Sequence, residues 1–248
     1  MPKCALGLMV KVPIAGAVKT RLTPPLTSEE AGKLSACFLR DMTTNLSGLS
    51  GDEAESVVLY TPARAGERLH DLLPRNCRFV AQRGKTLGDR LVNAATELLN
   101  DKFDSVCLIN SDSPTLPSEI LSTATSLLAQ NGDRVVLGPS QDGGYYLIGL
   151  KHPHHELFER IAWSTADVLA HTIQRAAKID LRVDLLPMWY DVDDAATLSL
   201  LCDELGLSPN GAGPHARYEG GYAAPFTRNY LDELIKEGDS ERFMPTDE

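Results

Sequence analysis

The sequence predicts an α/β fold, a mostly parallel sheet with helices packed on both faces. Three observations lead there. Short, almost wholly apolar runs such as Cys4–Val10 and Ser105–Ile109 recur between turn residues, which suits strands buried on both faces. Longer segments of helical periodicity alternate with these runs, the pattern of a doubly wound sheet. The 248 residues, 43% hydrophobic and 23% charged, suffice for one large domain without disulfide or metal staples.

The elements follow in order. Cys4–Val10 opens the chain as a strand. Thr27 and Glu30 make a capping-box pair, and Leu34, Cys37, Phe38, Met42 and Leu46 then share one helical face. Ser56–Tyr60 is the next strand. Leu87, Leu91, Ala94, Ala95 and Leu98 line a second helix. After the strand Ser105–Ile109, a helix begins at Pro117 or Ser118 and runs to Ala129. Strands Arg134–Leu137 and Tyr145–Leu150 meet through the Gly143-Gly144 turn. Helices follow at Thr165–Ala177 and Asp194–Leu205, with the strand Val183–Leu186 between them. Beyond Ser208, residues Pro209, Gly211, Gly213, Pro214, Gly220 and Gly221 interrupt the pattern, and a short helix, Arg228–Lys236, precedes a polar end. The expected division is one α/β domain over 1–207 and an extension over 208–248 packed on or beside it.

Charge and cysteine content narrow the function. The net charge of −10 disfavours a nucleic acid or an anionic membrane as partner. The five cysteines are odd in number and form no C-x-x-C; Cys4, Cys37 and Cys107 lie in apolar runs. Buried, inert thiols of a reducing compartment are the expectation. No apolar run approaches the roughly 20 residues of a membrane span, and the N-terminus does not read as a signal peptide. A cytoplasmic protein is expected, with a homodimer left open, and a small phosphorylated substrate remains compatible with the charge because a local basic loop can act inside an acidic molecule.

In this fold class ligands bind at the carboxyl ends of the strands. The loop after the first strand carries Lys11, Lys19 and Arg21, with Gly16 allowing close backbone approach. Lysine and arginine together suit phosphate. The loop matches neither G-x-x-x-x-G-K-[ST] nor G-x-G-x-x-G, which disfavours a simple P-loop kinase or an NAD enzyme. Asp112 follows the strand Ser105–Ile109, where a carboxylate can hold Mg²⁺ or Mn²⁺ against phosphates or cap a turn. Asp191 and Asp193, from a separate strand end, can complete the metal site, while Asp194 suits a helix N-cap. Gly88 and Arg90 open a helix whose free N–H groups can meet an anion or a base. Asp142 either orients an acceptor or holds its turn. Trp163 and Thr165 read as structural, and His152, His154 and His155 as solvated loop residues.

Taken in order, Lys19-Thr20-Arg21-Leu22, Leu87-Gly88-Asp89-Arg90-Leu91, Ser111-Asp112-Ser113-Pro114, Gly138–Tyr146, Trp163-Ser164-Thr165 and Asp191-Val192-Asp193 resemble the DUF2064 group. That group belongs to the GT-A, nucleotide-diphospho-sugar transferase superfamily. It is similar to the guanylyltransferases that activate phospholactate for coenzyme F420. The resemblance spans residues 3 to 206, and Arg21-Leu22-Thr23-Pro24 echoes the R-L-x-P of sugar-nucleotide pyrophosphorylases. It implies a GT-A-like three-layer α/β/α sandwich, a divalent metal and a nucleotide. It places phosphates on Lys11, Lys19 and Arg21, and the metal on Asp112, Asp191 and Asp193. Catalytic roles fall to Lys19, Arg21, Asp112 and Asp142. Asn110 stands where a D-x-D motif has its first Asp, and could bond a ribose instead. The expected activity is metal-dependent transfer of a sugar from a nucleotide sugar to a small acceptor. The alternatives are nucleotidyl transfer with release of pyrophosphate, and nucleotide binding without catalysis.

Overall fold

A computed structural model describes residues 2–74, 76–207 and 220–237. Seven strands form one sheet: β1 Cys4–Lys11, β2 Ala54–Thr61, β3 Arg78–Ala81, β4 Ser105–Asn110, β5 Arg134–Pro139, β6 Tyr145–Leu150 and β7 Arg182–Leu185. Their order is β3-β2-β1-β4-β6-β5-β7. Only β6 is antiparallel to its neighbours, β4 and β5. The mostly parallel sheet is as the sequence predicts.

The helices are α1 Ser28–Gly48, α2 Glu67–Leu72, α3 Leu87–Asp101, α4 Ser118–Ala129, α5 Val168–Lys178, α6 Ala195–Glu204 and α7 Pro225–Glu237. Alternation along β1 explains the layers. Cys4, Leu6, Leu8 and Val10 enter one core with Phe38 of α1, Leu121 of α4, Leu201 of α6 and Leu231 of α7. Ala5 enters the opposite core, with Leu91 and Leu98 of α3 and Ala176 of α5. Both faces of the sheet are thereby covered, as buried parallel strands require.

Capping boxes start α1 at Thr27, α3 at Thr86 and α6 at Asp194. The fifth helix begins at Val168, not at Thr165. Ser164 stands at φ 65, and the Thr165 hydroxyl donates to the Ala162 carbonyl within the preceding turn. The last helix begins at Pro225, ahead of the expected Arg228. Its first turn is held by buried Asp41 of α1, whose carboxylate accepts from Phe226 N at 3.0 Å and Thr227 N at 2.7 Å. So the described part of the extension packs on α1; residues 208–219 and 238–248 lie outside the described residues. Strand β3 and helix α2 were not anticipated. All four β3 residues are only half-buried, so no continuous apolar run marks that edge strand.

The five cysteines are free thiols. Cys4, Cys107 and Cys202 are buried, but Cys37 is only half-buried; burial still pushes its thiol up to about 11. Among the described residues, no helix is long and apolar enough to cross a membrane. Strands β2 and β3 extend the sheet to one side of β1, whereas β4 returns to its other side. The strand order therefore switches at the carboxyl ends of β1 and β4, the place where such sheets bind ligands.

Candidate active site

A cavity of about 410 Å³ opens at that switch point. Its lining includes Lys11 at the end of β1, Lys19 and Arg21 of the following loop, Thr61 at the end of β2, Gln82 just beyond β3, and Leu87 and Arg90 of α3. Asn110, Ser111 and Asp112 line it from β4, and Asp193 from the segment before α6. Four cations thus face two carboxylates inside an acidic chain.

Lys19 is the centre of this arrangement. Its backbone takes a left-handed turn at φ 49, and its side chain is 6% exposed. The ammonium stands 2.5 Å from Asp112 Oδ1 and 3.0 Å from Asp193 Oδ1. It donates to the Val192 carbonyl at 2.8 Å and lies 5.5 Å from the centre of the Phe38 ring. Burial alone would lower the Lys19 pKa, but the Asp112 and Asp193 carboxylates outweigh it and hold the ammonium above its usual value. Lys19 is therefore paired to the acidic residues. It is not a free phosphate ligand in this state.

The other cations are more open. The Lys11 ammonium donates to the Ala17 carbonyl, closing the loop on itself. Arg21 is 70% exposed and reaches Asp194 Oδ2 at 3.4 Å. Arg90 Nε is buried without a hydrogen-bond partner among the described residues, and a donor so placed is costly unless a ligand meets it.

The acidic residues divide by role. Asp112 and Asp193 have side chains 39% and 40% exposed and converge on one ammonium. Such a pair of oxygen donors, in a cavity also lined by Lys11, Arg21 and Arg90, fits the oxygen preference of a hard divalent ion. Asp191 is different. Its Oδ1 accepts from Asn110 Nδ2 and Ser113 Oγ, both at 2.6 Å, and its Oδ2 accepts from Ser140 Oγ at 2.9 Å. Burial pushes its carboxyl up to about 6, against the hydrogen bond from Ser113. Both oxygens are engaged, so Asp191 ties loops together where the sequence suggested a metal ligand. For the same reason the Asn110 amide turns to Asp191, and its Oδ1 accepts from Ser113 Oγ at 3.2 Å. Of the three carboxylates suggested by the sequence, Asp112 and Asp193 thus face the cavity, and Asp191 does not line it.

Three further candidates move away from the cavity. Asp142 Oδ1 accepts from Gly144 N at 2.8 Å, so its carboxylate holds its own turn outside the cavity lining. Gly16 has φ 73, a left-handed conformation that favours glycine, and no protein atom lies within 4 Å of an added Cβ. Gly88 packs on Trp163, where an added Cβ would sit 3.0 Å from the indole. It lines a separate cavity of about 710 Å³ on the other side of the first turn of α3. Asp194 caps α6 as expected, accepting from Thr197 N at 2.9 Å.

The segment carrying Asp193 is held by backbone pairing. Trp189 N donates to the Pro139 carbonyl at 3.0 Å and Val192 N to the Asp112 carbonyl at 2.9 Å. Sequence reasoning missed Gln82. Its amide Nε2 donates to the Leu59 carbonyl at 2.6 Å and the Val10 carbonyl at 3.3 Å. That pins the carboxamide and leaves Oε1 as an acceptor. No local signal marks it, because it follows the poorly defined edge strand. Ser113 and Ser140 lie within the quoted motifs, but nothing in their spacing assigned them to Asp191.

Comparison with known proteins agrees with this fold. Residues 46–165 match a family described as uncharacterized protein conserved in bacteria, DUF2064. A crystal structure from Desulfovibrio desulfuricans G20, named as a candidate nucleotide-diphospho-sugar transferase, is 30% identical, with a TM-score of 0.79 over 96% of this chain and 98% of that one. A cytidylyltransferase from Leptospira borgpetersenii shares the fold at 13% identity, with a TM-score of 0.54 over 99% of both chains. No curated protein matches the sequence. Sequence identity over nearly the whole length, on the fold and motifs described, makes this chain a member of the DUF2064 family within the nucleotide-diphospho-sugar transferase superfamily.

Proposed function

We propose that the chain is a nucleotidyltransferase that activates a small phosphorylated substrate. The observation that carries this reading is the cavity's charge: Lys11, Lys19, Arg21 and Arg90 against Asp112 and Asp193. A net positive cavity in a chain of charge −10 suits a strongly anionic ligand such as a nucleoside triphosphate. In this reaction a phosphate oxygen of the substrate attacks the α-phosphorus of the triphosphate. The bond from that phosphorus to the bridging oxygen breaks, and pyrophosphate leaves with the electron pair.

Each residue then has a task. Arg21, Arg90 and Lys11 hold phosphate oxygens and stabilise the charge that builds on them. Before a nucleotide arrives, Lys19 keeps Asp112 and Asp193 oriented. Mg²⁺ or Mn²⁺ held by those two carboxylates would add charge neutralisation at the reacting phosphates. Gln82 Oε1 offers an acceptor to a base edge, and Leu87, 40% exposed, offers an apolar surface for the base. Sugar transfer from a nucleotide sugar is the second reading, favoured by the name of the Desulfovibrio relative.

The test is to incubate the protein with Mg²⁺ and each nucleoside triphosphate or nucleotide sugar, with small phosphorylated acceptors. Pyrophosphate release supports nucleotidyl transfer. Nucleoside diphosphate release with an acceptor moves the assignment to sugar transfer. Nucleotide binding without either product leaves a non-catalytic binding protein. Arg90→Ala should lower kcat/KM by about 10- to 100-fold, as loss of a charged hydrogen bond to the reacting phosphates would.

A further inference from the structure

A lysine that bridges two prospective metal ligands is an unusual use of a phosphate-loop cation. Lys19 comes from the loop after β1, Asp112 from the end of β4, and Asp193 from the segment before α6. All three meet at one ammonium, 2.5 Å and 3.0 Å from the two carboxylate oxygens. The ammonium is fixed from other sides by the Val192 carbonyl and the Phe38 ring. With a side chain only 6% exposed, it cannot withdraw into solvent without leaving a well-made site.

We propose that the Lys19 ammonium occupies the divalent-ion seat between Asp112 and Asp193, so that a metal enters only together with nucleotide phosphates. The inference rests on the metal part of the proposed function. The physical reason is charge. The two carboxylates are already shared with one cation. A divalent ion bound there would stand beside the ammonium, with Arg21 and Arg90 lining the same cavity, and like charges at contact distance repel strongly when partly buried. Nucleotide phosphates reverse that balance. They supply oxygens to the ion and a new partner to the displaced ammonium. Metal and nucleotide would then bind cooperatively, and the coupling must be reciprocal.

The experiment uses the full chain and Mn²⁺, with binding followed by loss of the free-ion electron paramagnetic resonance signal. Without nucleotide, Lys19→Met is expected to bind Mn²⁺ at least about tenfold more tightly than the wild type, within the usual range of coupling between sites. Lys19→Gln serves as a second neutral variant, and thermal melts check that both fold. Equal Mn²⁺ affinity of the wild type and a folded neutral variant overturns the proposal. A second arm needs no variant at Lys19. Binding of a fluorescent, non-hydrolysable triphosphate to the wild type should tighten at least about tenfold with Mn²⁺ present, and Asp112→Asn should abolish that gain. If nucleotide binds wild type equally with and without Mn²⁺, and Mn²⁺ alone does not bind the neutral variants, the metal reading itself fails. If Mn²⁺ alone binds the wild type as tightly as the variants while Asp112→Asn weakens it, the metal reading stands and only the role of Lys19 falls.

Discussion

At the scale of single residues, one missing methyl decides how the β5–β6 turn packs. Gly143 stands at φ 86, and an added Cβ would fall 2.0 Å from the Ala166 carbonyl oxygen. Its own carbonyl accepts from Leu169 N at 2.9 Å, joining the turn to α5. Gly143→Ala therefore combines a left-handed backbone with a backbone clash. The expected loss is about 2–4 kcal/mol of stability, from overpacking and strain together, read from the shift in denaturant midpoint at unchanged slope. A loss below about 0.5 kcal/mol, the range of an unconstrained surface change, would mean that the Ala166 segment yields without cost. Single residues were also where the sequence was least transparent. Lys19, Asp112 and Asp193 could be picked out as strand-end chemistry, because position and residue type suffice for that. That Lys19 turns onto the acids, and that Asn110, Ser113 and Ser140 use up Asp191, depends on pairings between distant segments. Local spacing carries no trace of them.

At the scale of elements, caps and periodicity explain what was legible. Helices α1, α3, α4 and α6 follow from an amphipathic face or a recognisable start, and β1, β4, β5 and β6 from continuous apolar runs. The short edge strand β3 and the six-residue α2 bury too little to leave such a pattern. Helix α7 was visible as a helix, but its anchor was not. Buried Asp41, within α1, looks like an ordinary helix-surface acid in the sequence. In the structure it receives the first N–H groups of α7, and the Arg40 guanidinium stacks on Phe226 at 3.8 Å. Asp41→Ala should cost about 1–2 kcal/mol, as loss of an N-cap does, and should free α7 more than the sheet. Limited proteolysis would then cut preferentially within residues 220–237. Uniform cutting across the chain would show that α7 is not separately held by this cap.

At the scale of the whole molecule, Asp191 joins the end of β4, the end of β5 and the segment that carries Asp193. Together with the backbone bonds from Trp189 N and Val192 N, the buried carboxylate ties the segment that carries Asp193 to these strand ends. Its burial raises the carboxyl to about 6, from an ordinary value of 3.8. A group with a raised folded-state pKa holds its proton longer in the folded chain. Its contribution to stability is complete below about pH 4 and is lost as pH rises through about 6. A rise from 3.8 to about 6 sets an upper bound of about 3 kcal/mol on that loss. Asp191→Asn removes the titration and can keep the contacts, with its carbonyl accepting from Asn110 and Ser113 and its amide donating to Ser140. The quantity to measure is the stability of the wild type minus that of the variant, by urea unfolding at closely spaced pH values. It should fall between pH 4 and pH 7 in favour of the variant, while carboxylates shared by both proteins cancel. A difference that stays level across that range would place the ionised Asp191 at ease in its three hydrogen bonds. The donors from Asn110, Ser113 and Ser140 would then outweigh desolvation, and the cavity wall would be held by a permanent charge.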